Sequence, residues 1–297
     1  MTKVVLTGLG ALGMTYAVKL HDKCDLSILA DETRINKYKL NKPIFNGIEQ
    51  NFKYIIPSEK FDADFIIIST KASGLNDAIK NISNFVTPNT IILSLINGIS
   101  SEEKIQKAYP NATVLKSYFI GHSAVRNGNS VTQDGVGELI TEHNQDLEMF
   151  LNDTDIPYKT AQDIDYSMWL KYTFNLFSNQ TSAILNLTFG ELKRNKNFLM
   201  FAKNIINEVK QIAEAKGINN TKNLEQEALD SLNIMCDEGK TSMLQDILAK
   251  RPTEVDIFAG EIINLGKKYK IPTPYNNVLY SLIKIKEEAN EHSIHTC

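Results

Sequence analysis

The chain has 297 residues, which is enough for one large domain or two of ordinary size. It carries 32 Lys and Arg against 35 Asp and Glu, and the resulting net charge of −3 argues against a general nucleic-acid binder, which needs a basic surface. No apolar run approaches the ~20 residues of a membrane span, and the first residues lack the features of a signal peptide, so we expect a cytoplasmic protein without nucleic-acid or membrane partners.

Short apolar runs alternate with helical stretches in the first half of the chain. Such alternation, with runs that are apolar on both faces, is typical of a parallel sheet covered by helices. Strands are predicted at 3–7, 26–30, 65–70 and 90–95, and helices at 11–21, 73–85 and 101–109. Two further segments, 113–118 and 128–141, are expected to extend the sheet.

The second half of the chain has a different pattern. After about residue 160, apolar residues recur at helical spacing, as at 205–215 and 257–269, and no strand of comparable strength is predicted. The predicted fold class is therefore α/β. A Rossmann-type parallel-sheet domain at 1–164 is followed by an all-helical domain at 165–297.

A glycine-rich turn follows the first predicted strand and has the G-x-G-x-x-G spacing of a dinucleotide-binding site. Gly8 permits the tight turn, Gly10 lets the backbone approach a pyrophosphate, and Gly13 lets the helix pack closely on the strand. The helix N-terminus then offers free N–H groups to the phosphates. The expected cofactor-binding segment is Gly8, Leu9, Gly10, Ala11, Leu12 and Gly13.

The residues after the second strand bear on the choice of cofactor. Asp31 stands where an acidic residue usually binds the ribose 2′-hydroxyl and repels a 2′-phosphate, whereas Arg34 could bind that phosphate. Asp31 could equally be the N-cap of a helix over 32–38. Charge alone does not decide between NADPH and NADH.

Two further polar residues follow predicted strands. Lys71 comes just after the strand at 65–70, and Asn97 just after the strand at 90–95. Ligands bind at the carboxyl ends of strands in an open parallel sheet, so we expect Lys71 and Asn97 to contact cofactor or substrate. The alternatives are a solvated lysine and an Asn-Gly turn.

The predicted helix at 165–185 carries a lysine and two asparagines spaced four apart. Lys171, Asn175 and Asn179 therefore share one face of a helix that is otherwise rich in aromatic residues. An ammonium group can stabilise the negative charge that hydride addition leaves on a ketone oxygen, and can donate the proton. Lys171 is thus a candidate general acid, unless the polar face only meets water.

The segment 239–262 contains two more candidates, Ser242 and Glu254. Ser242 and Gln245 have the spacing of a capping box. Pro252 is expected to end one helix and Thr253 to cap the next, which would place Glu254 in its first turn. The functional alternative is that Ser242 and Glu254 bind a substrate's carboxylate and hydroxyl groups.

A metal site is not expected. The cysteines are odd in number and widely spaced, and the histidines show no ligand spacing and are expected at the solvated surface. These residues are Cys24, Cys236 and Cys297, and His21, His122, His143, His292 and His295.

The chain resembles the ketopantoate reductase family over essentially its full length. The resemblance rests on the glycine turn, STKA at 69–72, NG at 97–98, WLKYTFNLFSNQTSAIL at 169–185, TSMLQDILAKRPTEVD at 241–256 and IPTPYNNVLY at 271–280. It implies NADPH-dependent reduction of 2-dehydropantoate to pantoate, a step towards pantothenate.

The resemblance also implies roles for individual residues. Lys171 would be the catalytic acid, Glu254 would contact the substrate hydroxyl and Ser242 its carboxylate. Asn175 and Asn179 would support the lysine and the substrate, and Lys71 and Asn97 would line the cofactor side.

Two positions depart from the family pattern. Asp31 replaces the arginine often found there, which leaves NADH possible, and Lys250 replaces the usual glycine of the G-R-x-T-E stretch.

Two other functions stay open. The chain could reduce another 2-oxo or 3-hydroxy acid, as β-hydroxyacid dehydrogenases with a similar lysine-asparagine helix do. It could also be a non-catalytic nucleotide sensor on the same scaffold. A small-molecule 2-oxo acid is the expected partner, and a homodimer is possible.

Overall fold

The computed structural model describes residues 1–121 and 123–295, with side chains described for 1–121 and 124–290. Cys297, His122 and the side chains of His292 and His295 lie outside this range, so the predicted surface positions of these three histidines are not described. The chain divides into two compact units, Met1–Ile164 and Asp165–Cys297.

The first unit is built on a six-stranded parallel sheet with the strand order β5-β2-β1-β6-β7-β8. The chain moves from β1 towards β2 on one side and later returns to β6 on the other, so the order reverses beside β1. The strands of this sheet are β1 (Lys3–Thr7), β2 (Asp25–Leu29), β5 (Tyr54–Ile55), β6 (Phe65–Ile68), β7 (Ile91–Ser94) and β8 (Thr113–Leu115).

The predicted strands form because both of their faces are covered. Val4 and Leu6 of β1 belong to one apolar cluster, while Val5 belongs to the other cluster, on the opposite face of the sheet. Side chains alternate between the faces of a strand, so each face receives its own apolar layer. The helices of this unit are α1 (Ala11–Leu20), α2 (Glu32–Leu40), α3 (Leu75–Asn81), α4 (Ser101–Ala108) and α5 (Gln145–Asp153).

The expected extension of the sheet by 113–118 and 128–141 is wrong for most of these residues. Only β8 joins it. A separate sheet has the order β10-β11-β3-β4, and another has the order β13-β12-β9. The strands outside the main sheet are β3 (Ile44–Phe45), β4 (Ile48–Glu49), β9 (Ser117–Ile120), β10 (Ser123–Asn127), β11 (Ser130–Asp134), β12 (Glu138–Thr141) and β13 (Tyr158–Thr160).

The second unit is helical throughout the residues described, which confirms the predicted fold class. Its first helix is long, and Trp169, Tyr172 and Phe177 are almost fully buried along it. The α-helices are α6 (Ile164–Leu185, which begins one residue before the unit), α7 (Phe189–Arg194), α8 (Lys196–Lys216), α9 (Leu224–Asn233), α10 (Ser242–Leu248), α11 (Ala259–Tyr269) and α12 (Pro274–His295). Within the described part of the chain, none of the helices is long and apolar enough to cross a membrane.

A buried carboxylate joins two helices of this unit. Glu208 of α8 is 4% exposed and accepts hydrogen bonds from the backbone N–H of Tyr275 at 2.7 Å and of Asn276 at 3.1 Å. It also accepts from the Asn276 side-chain amide at 2.7 Å. These donors lie in the first turn of α12, where N–H groups have no partner within the helix.

Candidate active site

The glycine turn lies between β1 and α1. The surroundings of a Cβ atom would differ among its three glycine positions. Gly8 has φ +97°, and an added Cβ would lie 2.6 Å from the Ser69 carbonyl. A Cβ at Gly13 would lie 1.8 Å from the Gly8 carbonyl oxygen. At Gly10, by contrast, the nearest atom would be 3.9 Å away and φ is −74°, so the chain itself has room for a side chain.

The open space at Gly10 fits a bound dinucleotide. Neither sterics nor backbone conformation requires glycine there, and the free space is compatible with the close approach of a pyrophosphate that this position of the motif allows. Gly10 is the N-cap residue of α1. Because glycine has no side chain, it cannot cap the first N–H groups of the helix, which belong to Ala11 and Leu12.

Arg126 is a contact of this turn that the sequence did not reveal. Its Nη1 donates to the Leu9 carbonyl oxygen at 2.8 Å, and its Nε donates to the Gly128 carbonyl oxygen at 2.9 Å. The guanidinium thus joins the turn to the hairpin of β10 and β11. Because Arg126 lies 117 residues from Leu9, no local pattern could have indicated the contact.

Asp31 and Arg34 contact each other after β2. Asp31 is the N-cap of α2, as one of the two interpretations predicted, and accepts from the Arg34 N–H at 2.8 Å. Its carboxylate also lies 3.2 Å from Arg34 Nε. Both side chains are more than half exposed, so both groups remain accessible to a ligand.

Lys71 and Asn97 each follow a strand, as predicted, and the structure shows that the two strands are neighbours in the sheet. β6 pairs with β7 in parallel, with Ile68 opposite Ser94, so the loops that carry Lys71 and Asn97 leave the same edge of the sheet. β1 is the other neighbour of β6, which brings the glycine turn to this edge as well. Lys71 is exposed and Asn97 is half-buried.

A buried acid lies next to the Asn97 loop and was missed by the sequence reasoning. Ser94 donates to Ser101 and Ser101 to one Glu102 oxygen, both at 2.9 Å, while the other oxygen, Oε1, is buried without a hydrogen-bond partner. Burial raises the pKa of Glu102 to about 7, although the Ser101 hydrogen bond and the charge of Lys116 act in the opposite direction.

The lysine and asparagine residues of α6 lie on one helix, as predicted. Lys171 and Asn175 are half-buried, and Asn179 is 4% exposed. A polar face that only meets water is therefore excluded for Asn179. Buried polar groups need partners, and Asn179 Oδ1 has a contact at 3.5 Å with the hydroxyl of Ser178.

Ser242 is the first residue of α10 and is exposed. The capping box predicted for Ser242 and Gln245 is wrong, because the N-cap is Thr241, whose Oγ1 accepts from the Leu244 N–H at 3.2 Å. The same hydroxyl donates to Ser182 Oγ of α6 at 3.2 Å. The start of α10 is thereby attached to the helix that carries Lys171.

Glu254 is half-buried, just before a short 3₁₀ helix at Val255–Ile257. The expectation that Pro252 ends the preceding helix is wrong, since α10 ends at Leu248 and Lys250 takes a left-handed φ of +52°. Glu254 is the N-cap residue rather than part of the first turn, and its side chain makes no cap.

Tyr172 attaches this segment to α6 as well. Its hydroxyl donates to the carbonyl oxygens of Ile257 at 3.0 Å and Phe258 at 2.8 Å. Tyr172 is adjacent to Lys171 in the chain, and the 3₁₀ helix begins directly after Glu254. α6 therefore anchors both segments that carry the other candidate residues of the second unit.

Among the residues that the structure describes, no cluster of His, Cys, Asp and Glu could hold a metal ion. Cys24 is buried and Cys236 is exposed, and both are free thiols. His143 is exposed, as predicted. The prediction of a solvated surface histidine is wrong for His21, which is half-buried and packs edge-on against Phe52.

Two family models match the chain. The model described as ketopantoate reductase PanE/ApbA covers residues 4–145, and the model described as ketopantoate reductase PanE/ApbA C terminal covers residues 163–287. A 2-dehydropantoate 2-reductase of Streptococcus pyogenes is 28% identical over 300 residues, covering 96% of this chain and 97% of that protein.

Solved structures share the fold. A D-mandelate dehydrogenase with NADH and anilino(oxo)acetate has a TM-score of 0.85 at 24% identity, with 98% of this chain and 100% of that chain covered. A dimeric ketopantoate reductase from Staphylococcus aureus has a TM-score of 0.77 at 20% identity, with 97% and 99% covered.

Proposed function

Because the chain belongs to the ketopantoate reductase family, we propose that it reduces the ketone of 2-dehydropantoate to give pantoate, with NADPH as the reductant. The observation that carries the proposal is the line of Lys171, Asn175 and Asn179 on α6, together with the attachment of the Ser242 and Glu254 segments to that helix. When bound, the dinucleotide supplies a hydride to the ketone carbon.

Lys171 is the proposed general acid. Addition of a hydride to a ketone places negative charge on the oxygen, and a positioned ammonium stabilises that charge and donates the proton that completes the alcohol. The half-buried position of Lys171 reduces the water around it, which strengthens its interaction with the oxygen.

Four other side chains are proposed to hold the substrate. Asn175 and Asn179 orient the lysine and the substrate from the same helix face. Ser242, exposed at the start of α10, donates to the carboxylate, and Glu254 accepts from the substrate hydroxyl. When the carboxylate and the hydroxyl of the substrate are both held in place, its ketone can take only a small range of positions relative to Lys171.

The first unit is proposed to bind the cofactor. Gly8, Leu9, Gly10, Ala11, Leu12 and Gly13 would accommodate the pyrophosphate, and Lys71 and Asn97 would line the same sheet edge. Arg34 is the proposed partner of the 2′-phosphate of NADPH. Asp31 acts against this preference and leaves NADH possible as the cofactor, because its carboxylate repels that phosphate and already pairs with Arg34.

We propose a homodimer formed through α12. Tyr275, Val278, Leu282 and Ile285 lie at helical spacing along one face and are 36–60% exposed. An apolar face of this kind is suited to a second copy of the chain, and the ketopantoate reductase from Staphylococcus aureus that shares the fold is described as dimeric. Ile285→Glu should yield a monomer by light scattering, whereas the control Ile234→Glu, at another exposed isoleucine, should not change the mass. A wild-type monomer at micromolar concentration contradicts the dimer.

The function is tested by following oxidation of NADPH and of NADH in parallel with 2-dehydropantoate, for the wild type and for Asp31→Ala. Turnover of 2-dehydropantoate with NADPH supports the proposal, and a shift of the NADPH/NADH preference in Asp31→Ala assigns cofactor choice to that residue. Cofactor binding without turnover would indicate another 2-oxo or 3-hydroxy acid, or, if none is reduced, a sensor.

A further inference from the structure

The loop 95–100 connects β7 to α4 and carries Asn97. Leu95 and Ile96 are 8% and 7% exposed and belong to the apolar clusters on opposite faces of the sheet. Asn97 and Gly98 are half-buried, and Gly98 has φ +112°, a conformation that favours glycine. The apolar residues therefore anchor the loop in the core, while Asn97 stays accessible at the sheet edge.

A hydrogen bond between two hydroxyl groups closes this loop. Ser94 is the last residue of β7 and Ser101 is the first residue of α4. Ser94 Oγ donates to Ser101 Oγ at 2.9 Å, and the Ile96 backbone N–H donates to Ser94 Oγ at 3.4 Å. The two ends of the loop are thus held together, and the hydrogen bonds reach the residue immediately before Asn97.

Glu102 is the acceptor at the end of this chain of hydrogen bonds. Ser101 Oγ donates to Glu102 Oε2 at 2.9 Å, so both hydroxyl groups donate towards the carboxyl group. Because a hydroxyl hydrogen rotates to suit its acceptor, the carboxyl group sets the direction of the whole chain. Ser94, Ser101 and Glu102 are at most 6% exposed, so little water competes for these bonds.

Stability alone is a poor reason for this arrangement. Among the residues described, Glu102 Oε1 has no hydrogen-bond partner although it is buried, which is unfavourable for the fold. A serine at the start of a helix usually caps the first N–H groups. The N-cap residue of α4 is Ser100, which makes no side-chain cap, and the Ser101 hydroxyl contacts β7 and Glu102 instead. Such departures from local rules are expected at functional sites.

We propose that Ser94, Ser101 and Glu102 are positioning residues, which hold the loop 95–100 in the shape in which Asn97 contacts the dinucleotide. Because all three are buried, they act through the loop and not by touching the cofactor. A loop that is ordered before the ligand arrives loses less freedom on binding, which strengthens the binding. The inference rests on the proposed function, because it takes Asn97 as a contact of the cofactor.

The dissociation constants of NADPH and NADH, measured by fluorescence titration without substrate, test the positioning role. Glu102→Ala removes the final acceptor and Ser101→Ala interrupts the chain, and each should raise the dissociation constant about 10-fold, the scale of one lost hydrogen bond. The double variant should bind about as weakly as either single variant, because both changes remove the same chain. Glu102→Gln keeps an oxygen that accepts from Ser101 and should stay within about 3-fold of the wild type.

The matched control is Thr154→Ala. Thr154 is 2% exposed at the end of α5 in the same unit, and its hydroxyl donates to the Phe150 carbonyl oxygen at 2.7 Å. This variant loses a buried hydroxyl of the same kind and should be less stable, yet it should bind the dinucleotide as the wild type does. Equal losses of affinity in Thr154→Ala and Glu102→Ala would show that lower stability explains the effect, and would overturn the positioning role.

Hydrogen exchange in the protein without cofactor reports on the loop directly. The backbone amides of 95–100 should exchange at least about 10-fold faster in Glu102→Ala than in the wild type, whereas Glu102→Gln should exchange at the wild-type rate. Unchanged exchange in Glu102→Ala, or unchanged cofactor affinity in Glu102→Ala and Ser101→Ala, overturns the inference.

These measurements separate the inference from the proposed function, since none of them requires turnover. If the wild type binds a dinucleotide but reduces no 2-oxo acid, the affinities and exchange rates expected above still support the positioning role, and only the proposed reaction fails. If the wild type binds neither NADPH nor NADH, both the proposed function and the inference are overturned.

Discussion

Thr241 Oγ1 donates to Ser182 Oγ at 3.2 Å, and this buried contact fixes the start of α10 against α6. Ser182 Oγ in turn donates to the Leu187 carbonyl oxygen at 2.6 Å. Ser182 lies eleven residues after Lys171, three helical turns along the same face. The hydroxyl pair therefore sets where Ser242 stands relative to the proposed acid.

A first prediction separates the two roles of Thr241, which are its hydrogen bond to Ser182 and its N-cap of α10. Ser182→Ala removes the contact with Thr241 and the hydrogen bond from Ser182 to the Leu187 carbonyl oxygen but keeps the cap, and should cost about 2 kcal/mol of stability and raise KM for the 2-oxo acid about 10-fold. Thr241→Ala removes the link and the cap, and should cost about 2 kcal/mol. Thr241→Ser keeps both and should restore KM. Denaturation and steady-state kinetics check these values, and an unchanged KM in Ser182→Ala would show that the link has no positioning role.

The glycine turn gives a second prediction, because Gly10 and Gly13 should fail in different ways. Gly10→Ala should leave the melting temperature nearly unchanged, since the nearest atom to its Cβ is 3.9 Å away. Its dissociation constant for the dinucleotide should nevertheless rise about 10-fold or more, because the pyrophosphate needs that space. Gly13→Ala should destabilise the fold, since its Cβ would lie 1.8 Å from Gly8. If Gly10→Ala binds the cofactor with wild-type affinity, the proposal that the glycine turn accommodates the pyrophosphate is contradicted.

Glu102 provides a prediction about pH. Its pKa is about 7 in the fold against 4.5 ordinarily, so the folded protein binds more protons than the unfolded chain between these values. The stability that this group contributes is fully present below pH 4.5 and is lost as the pH rises through about 7. The total change is about 3 kcal/mol.

Glu102→Gln should abolish that part of the pH dependence in chemical denaturation between these pH values and be the more stable protein at pH 8. The matched control is Glu103→Gln at the exposed neighbouring acid, which should keep the wild-type slope. Parallel stability curves for the wild type and Glu102→Gln would show that Glu102 is not protonated in the fold near neutral pH.

Lys250 gives a fourth prediction. Its φ is +52°, a conformation that costs an L-residue roughly 1 kcal/mol relative to glycine. Lys250→Gly should therefore raise the free energy of unfolding by about 1 kcal/mol. Lys267→Gly, at an exposed position within α11, should lower the free energy of unfolding by a similar amount, about 1 kcal/mol. A loss of stability in Lys250→Gly would mean that its side chain makes contacts that outweigh the backbone strain.

The central parallel strands were predictable because each is an apolar run covered on both faces. The segment 128–141 was misplaced because β11 pairs with β3, a strand of two residues, Ile44–Phe45, that is too short to recognise from its pattern. Pairing between segments so far apart in the chain leaves no local periodicity to detect.

The sequence could predict those parts of the candidate site that depend on the spacing of residues along a helix or on their position after a strand. Four-residue spacing placed Lys171, Asn175 and Asn179 on one face, and the strand ends placed Lys71 and Asn97 at one sheet edge. Contacts such as that of Thr241 with Ser182 depend on how α10 docks on α6. Neighbouring hydroxyl residues are equally good caps by sequence, so Thr241 and Ser242 could not be told apart.

Lys171→Ala tests the central claim most directly. With 2-dehydropantoate and saturating cofactor, kcat should fall at least about 100-fold, the scale of a lost general acid. The dissociation constant for the cofactor should stay within about 3-fold, because the glycine turn that is proposed to bind it lies in the other unit. A Lys171→Ala enzyme that reduces 2-dehydropantoate at the wild-type rate would contradict the assignment of Lys171 as the acid.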